Sequence, residues 1–241
     1  MKPINSKKHL HLQKVLLDYS EQIRVNKMET NMMTGKLFWI CEWIMRLAFV
    51  NILWILFTAS GLIIFGIMPA SVAVFTVARK WITQGTDIPI FKTFFHAFRT
   101  EWLKSNNLGL ILGLSGGFLF FDLVYIRTIH GPVQTGSMVL LMIAFLFYIM
   151  TCLFILPVYV HYDLKLGQYI KQAFLIGVSN MWLFLVMIAG GVLLATLFYI
   201  IPVLAPFFAI ALPAVVFMRC SLQAFNRIEQ KQRKLSGQLS G

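Results

Sequence analysis

Between Asn51 and Trp81 the chain reads NILWILFTASGLIIFGIMPASVAVFTVARKW. Two apolar runs are parted by the small residues Ala59-Ser60-Gly61 and end on Arg79-Lys80-Trp81. A helix crosses a bilayer core of about 30 Å with roughly 18–20 apolar residues, because each adds about 1.5 Å. The stretch therefore predicts two membrane-crossing helices joined by a tight outer turn, span 1 over 37–58 and span 2 over 61–78. A rival reading ends the first helix near Gly66 and makes residues 69–81 an interfacial helix.

Four more apolar runs follow, over 107–126, 138–160, 181–201 and 203–218. Only 12% of the 241 residues are charged, against about 25% in soluble domains. The net charge of +12 would suit nucleic acid, but the basic residues lie between the apolar runs rather than on one soluble face. That is where a membrane protein meets anionic headgroups. Cys41, Cys152 and Cys220 lie in or beside apolar runs without paired spacing. They read as packed thiols rather than a disulfide framework or a zinc site. Residues 1–30 hold no apolar signal core, and 37–58 is too long for one, so it reads as an uncleaved anchor.

Residues 1–36 form a basic tail, with Leu12, Val15, Leu16, Tyr19 and Ile23 spaced for a short amphipathic helix. A disordered tail is the alternative, and Met28, Met32 and Met33 offer a later start. In span 1, Glu42 and Arg46 are four residues apart and can pair on one face. Glu42 is expected between Arg46 and the basic stop at Arg79 and Lys80. Asn51 lies deeper and should hydrogen-bond to another helix. Pro69 interrupts the span 2 ladder, with Ser71 and Thr76 placed to satisfy freed carbonyls.

In the following loop, 79–106, Phe91, Phe94, Phe95, Phe98 and Trp102 recur at helical spacing. They predict an amphipathic helix in the headgroup plane, a lipid anchor first and a docking surface second. Gly109, Gly113 and Gly117 form a small-residue strip for close helix approach. Asp122 lies near the end of span 3. His161 and Asp163 make a His-x-Asp pair, too few ligands for a metal site. Pro202, Pro206 and Pro213 predict a distorted sixth span. Residues 219–241 read as a second basic tail.

The fold class is thus an all-α polytopic bundle of about six spans, five being the alternative. With six spans, Lys and Arg number seven in 1–36, five in 79–106, two in 161–180 and five in 219–241, or 19 of 21. The positive-inside rule then sets both termini on the cytoplasmic side. No P-loop, HExxH or nucleophile–base set is present in the sequence. No enzymatic activity, cofactor or metal is expected, and the bilayer is the expected partner.

The motifs LWILFT (53–58), FGIMPA (65–70), VARKW (77–81) and IFKTFFHAFRTEWLKSNN (90–107), with Glu42, Trp43 and Arg46, resemble the YesL family of bacterial multi-span membrane proteins. The likeness covers roughly residues 36–233; residues 1–27 depart from the family pattern. It implies a context of carbohydrate uptake and polysaccharide degradation, but no mechanism. A non-enzymatic accessory or regulatory component, with a transport protein as partner, is the expectation. A small-solute transporter or channel is the alternative.

Overall fold

The computed structural model describes residues 38–128 and 131–239, with side chains described through residue 230. The N-terminal tail and its amphipathic spacing lie outside the described residues. The chain divides into two compact units, Met1–Arg46 and Leu47–Gly241, and the boundary falls inside the first helix.

The described elements are helical. They are α1 (Phe38–Ser60), α2 (Ile64–Gln84), α3 (Ile90–Thr100), α4 (Trp102–Ile126), α5 (Pro132–His161), α6 (Leu166–Ser179) and α7 (Met181–Ile200). A 3-10 turn (Pro202–Leu204), the short α8 (Ala205–Phe208) and α9 (Ala211–Leu239) complete the order. Five helices are long and apolar enough to cross a membrane: α1, α2, α4, α5 and α7. The segment Pro202–Phe208 and the first part of α9 make a sixth when taken as one span bent by 61°. The protein is a helical membrane protein whose exposed surface is rich in large apolar side chains, as lipid requires.

Element boundaries differ from the sequence reading in three places. The basic Arg79-Lys80 does not end α2, because Trp81 is buried and continues the helix to Gln84. Gly85 ends it at φ +96°, a left-handed conformation that favours glycine. The rival reading fails because α1 stops at Ser60 and α2 is already helical by Ile64. The linker expected over 161–180 contains α6, which packs along α5 and buries Tyr169, Ala173 and Ile176. The basic tail expected from 219 is the continuation of α9, which buries Ser221, Leu222, Ala224 and Phe225 before running on to Leu239.

The α1–α2 turn is tight because two backbones meet. A Cβ on Gly66 would collide with the backbone of Thr58, whose carbonyl carbon would lie 2.9 Å away. Leu62 (φ +56°) and Ile63 (φ +65°) take left-handed conformations, costly for a β-branched residue. Thr58 carbonyl accepts from Ile63 N–H at 3.0 Å, which closes the turn. Pro69 is buried inside α2, which runs through it as one helix. The carbonyl that Pro69 frees is that of Phe65, four residues earlier. Ser71 and Thr76 bond other carbonyls, Ile67 at 2.7 Å and Val72 at 2.8 Å.

The α3 stripe is only partly a lipid anchor. Phe57 of α1 sits among Phe91, Phe94, Phe95 and Phe98, with ring centroids 4.9–6.5 Å away. Phe94 and Phe98 are buried, while Phe91 and Phe95 remain exposed. One aromatic side chain thus enters a hole formed by i, i+3, i+4 and i+7 positions, so protein packing claims half the stripe.

The glycine strip of α4 also divides. A Cβ on Gly109 would strike the Met68 side chain, but nothing lies within 4 Å of one on Gly113 or Gly117. The second close approach is at Gly116, against the Tyr148 hydroxyl that bonds the Leu112 carbonyl at 2.9 Å. The expected packing role of Gly113 and Gly117 within this chain is therefore incorrect; period-four spacing sets one face but not what covers it. Gly113→Leu should leave the melting temperature in detergent unchanged. Gly109→Leu should lower stability by about 1–3 kcal/mol, the usual cost of overpacking.

Candidate functional site

Where α2, α5 and α6 meet the α3–α4 junction, the apolar bundle gives way to a polar cleft of about 410 Å³. Glu101 is the single residue between α3 and α4, and its N–H donates to the Ala97 carbonyl. Its carboxylate accepts a 2.6 Å bond from the Tyr159 hydroxyl, in the last turns of α5. The buried tyrosine thus gives the carboxylate a donor where an unpaired charge would be expensive. Tyr169 of α6 packs against the Tyr159 ring at 4.7 Å. Its hydroxyl accepts from Leu164 N–H at 3.0 Å and donates to the Tyr162 carbonyl at 3.3 Å, which holds the α5–α6 connection in place.

Arg79 and Lys80 come to this cleft from α2. Arg79 is half-buried and donates to the Val160 carbonyl at 2.6 Å, so one guanidinium N–H satisfies a carbonyl near the end of α5. Lys104 and Asp163 stand 4.0 Å apart at the mouth, both exposed, which makes the pair weak. His161 lies 3.8 Å from Glu229 and packs on Phe225 at 4.6 Å. Burial, and then the Glu229 charge, pushes the Tyr162 phenol above its ordinary value. His161 and Asp163 turn to different partners, and among the described residues no three His, Cys, Asp or Glu side chains gather to hold a metal ion.

The other residues singled out from sequence lie elsewhere. Glu42 and Arg46 pair at 2.6 Å on α1, beside the edge-to-face Trp39–Trp43 pair. Arg79, expected to share Glu42, is tied to the Val160 carbonyl in the larger unit. Asp122 is half-buried in the last turns of α4. The three cysteines are free thiols.

Asn51 sits at the break in the last span. It is fully buried in α1, its Nδ2 donates to the Pro206 carbonyl at 2.7 Å, and its Oδ1 accepts from Ile210 N–H at 3.0 Å and Ala211 N–H at 3.2 Å. One amide therefore caps the start of α9 from another helix, a job usually done by a residue of the same helix. Pro213 lies in that first turn and has no N–H to satisfy. Glu101, Tyr159 and Phe57 carry no comparable sequence signal. Glu101 is one charge at the edge of an apolar run, and its role depends on a tyrosine 58 positions away.

Comparison with known proteins gives relatives without an assigned activity. Residues 47–123 match the family model described as "Protein of unknown function, DUF624". The chain is 39% identical over 196 residues to "Uncharacterized protein YesL" of Bacillus subtilis (strain 168), covering 80% of this chain and 91% of that one. It is 36% identical over 203 residues to "Uncharacterized protein YteU" of the same organism, covering 84% and 91%. With "Uncharacterized protein YesV", also from that organism, identity is 34% over 206 residues, covering 83% and 97%. No solved structure matches.

Proposed function

The chain belongs to the YesL family of membrane proteins, and we propose that it is a non-enzymatic accessory or regulatory component of a carbohydrate-uptake system. It would sit in the bacterial cytoplasmic membrane with both termini and the polar cleft facing the cytoplasm. The observation that supports a non-enzymatic role most is the internal pairing in the cleft. Glu101 is engaged by Tyr159 and Arg79 by the Val160 carbonyl, an arrangement that braces helix ends. The carbohydrate context rests on the family resemblance alone. Crosslinking in the native membrane, followed by identification of the captured proteins, tests the proposal. A sugar permease or its ATPase should be recovered; capture of neither, with the protein demonstrably folded, counts against it.

A second reading, a transporter in its own right, draws on the 61° break held by Asn51. Transporters place interrupted helices at substrate sites near the bilayer midplane. Uptake of a sugar by liposomes containing only this protein would favour the second reading over the first.

A further inference from the structure

The cleft carries more positive charge than its own acids occupy. Arg79, Lys80 and Lys104 line it, against Glu101, which is bonded to Tyr159, and Asp163, which is 95% exposed at the rim. The Val160 carbonyl takes one N–H of Arg79, and a guanidinium has five in a fixed fork suited to tetrahedral oxyanions. Two ammonium groups at the same opening favour a centre that carries more than one negative oxygen. A volume of about 410 Å³ holds a phosphoryl group together with a small polar body. The position, at the ends of apolar spans beside a basic segment, is where anionic headgroups are captured.

We propose that this cleft is a binding site for a phosphorylated polar head. Arg79 and Lys80 hold the phosphoryl oxygens, and Lys104 closes the mouth. The same chemistry is offered by the headgroup of an anionic glycerophospholipid and by a soluble organophosphate, and the test separates them. The inference is independent of whether the protein serves carbohydrate uptake.

The full chain in phosphatidylcholine nanodiscs would be titrated by calorimetry with glycerol 3-phosphate, with short-chain phosphatidylglycerol, and with glucuronate as a carboxylate control. Saturable binding of one of the first two is expected; which one binds identifies the source. Lys80→Gln and Lys104→Gln should each weaken it by about tenfold or more, the loss of a charge-assisted hydrogen bond. Lys92→Gln, on α3 outside the cleft lining, should not change it. Arg79→Gln should weaken binding most, but it also frees the Val160 carbonyl, so the two lysine variants decide. The site is refuted if neither phosphate probe binds saturably, if both lysine variants bind like the parent, or if Lys92→Gln weakens binding equally. Glucuronate binding as tightly as either phosphate would refute the phosphoryl assignment.

Discussion

Asn51→Leu should sharply reduce the yield of folded protein and lower its melting temperature more than Gly66→Val or Gly109→Leu. The substitution keeps the γ-branched shape and heavy-atom count but removes the partner of three backbone groups: the Pro206 carbonyl and the N–H groups of Ile210 and Ala211. Each buried group left unsatisfied costs about 1–3 kcal/mol, while interhelical hydrogen bonds in membranes average nearer 0.6 kcal/mol. The combined loss should be about 2–5 kcal/mol. Asn51→Asp should also destabilise, since it keeps the acceptor for Ile210 and Ala211 but loses the donor to Pro206. Thermal unfolding in detergent with a tryptophan or thiol probe measures this. A leucine variant that melts with the parent would mean that the bent segment satisfies itself.

Gly66→Val should be the second severe variant. A side chain at that position meets the Thr58 backbone rather than a movable side-chain tip, so the α1–α2 hairpin must open. The expected loss is at or above the usual 1–3 kcal/mol of overpacking. Thr58→Ala should not rescue it, because the clash is with backbone atoms. Rescue in the double variant, measured as recovery of the melting temperature, would move the obstacle to the Thr58 side chain and contradict the geometry.

Much of the architecture was legible because lipid imposes a coarse rule: apolar runs of fixed length become helices. The small residues at Ala59–Gly61 and the prolines near 202–213 correctly marked a turn and a broken segment. Coverage was not legible. The helical spacing of Gly109, Gly113 and Gly117 is regular, yet only Gly109 has Met68 opposite it. The α3 stripe could not reveal that Phe57 would fill it from another helix. α6 was missed because a moderately apolar 14-residue helix falls below the length of a span. Asn51 stood out as a polar residue within an apolar run, but its partners are 155–160 positions away and are backbone atoms, which carry no sequence signal. The cleft was half legible for the same reason. Arg79 and Lys80 advertise a charged boundary, whereas Glu101 and Tyr159 acquire meaning only when α4 and α5 come together.

If the bent segment crosses as one span, it completes an even-numbered bundle, and the basic cleft lies on the same side as both termini, the side proposed to be cytoplasmic. Membrane-impermeant thiol labelling of intact cells tests it most directly. Cys41, Cys152 and Cys220 would be replaced by serine, and single cysteines placed at Val133, Lys92 and Gly237. Val133→Cys should label from outside, with Lys92→Cys and Gly237→Cys labelled only after the membrane is permeabilised. Labelling of Gly237→Cys in intact cells, with Lys92→Cys still protected, would show that the bent segment does not cross as one span and would contradict the six-span topology.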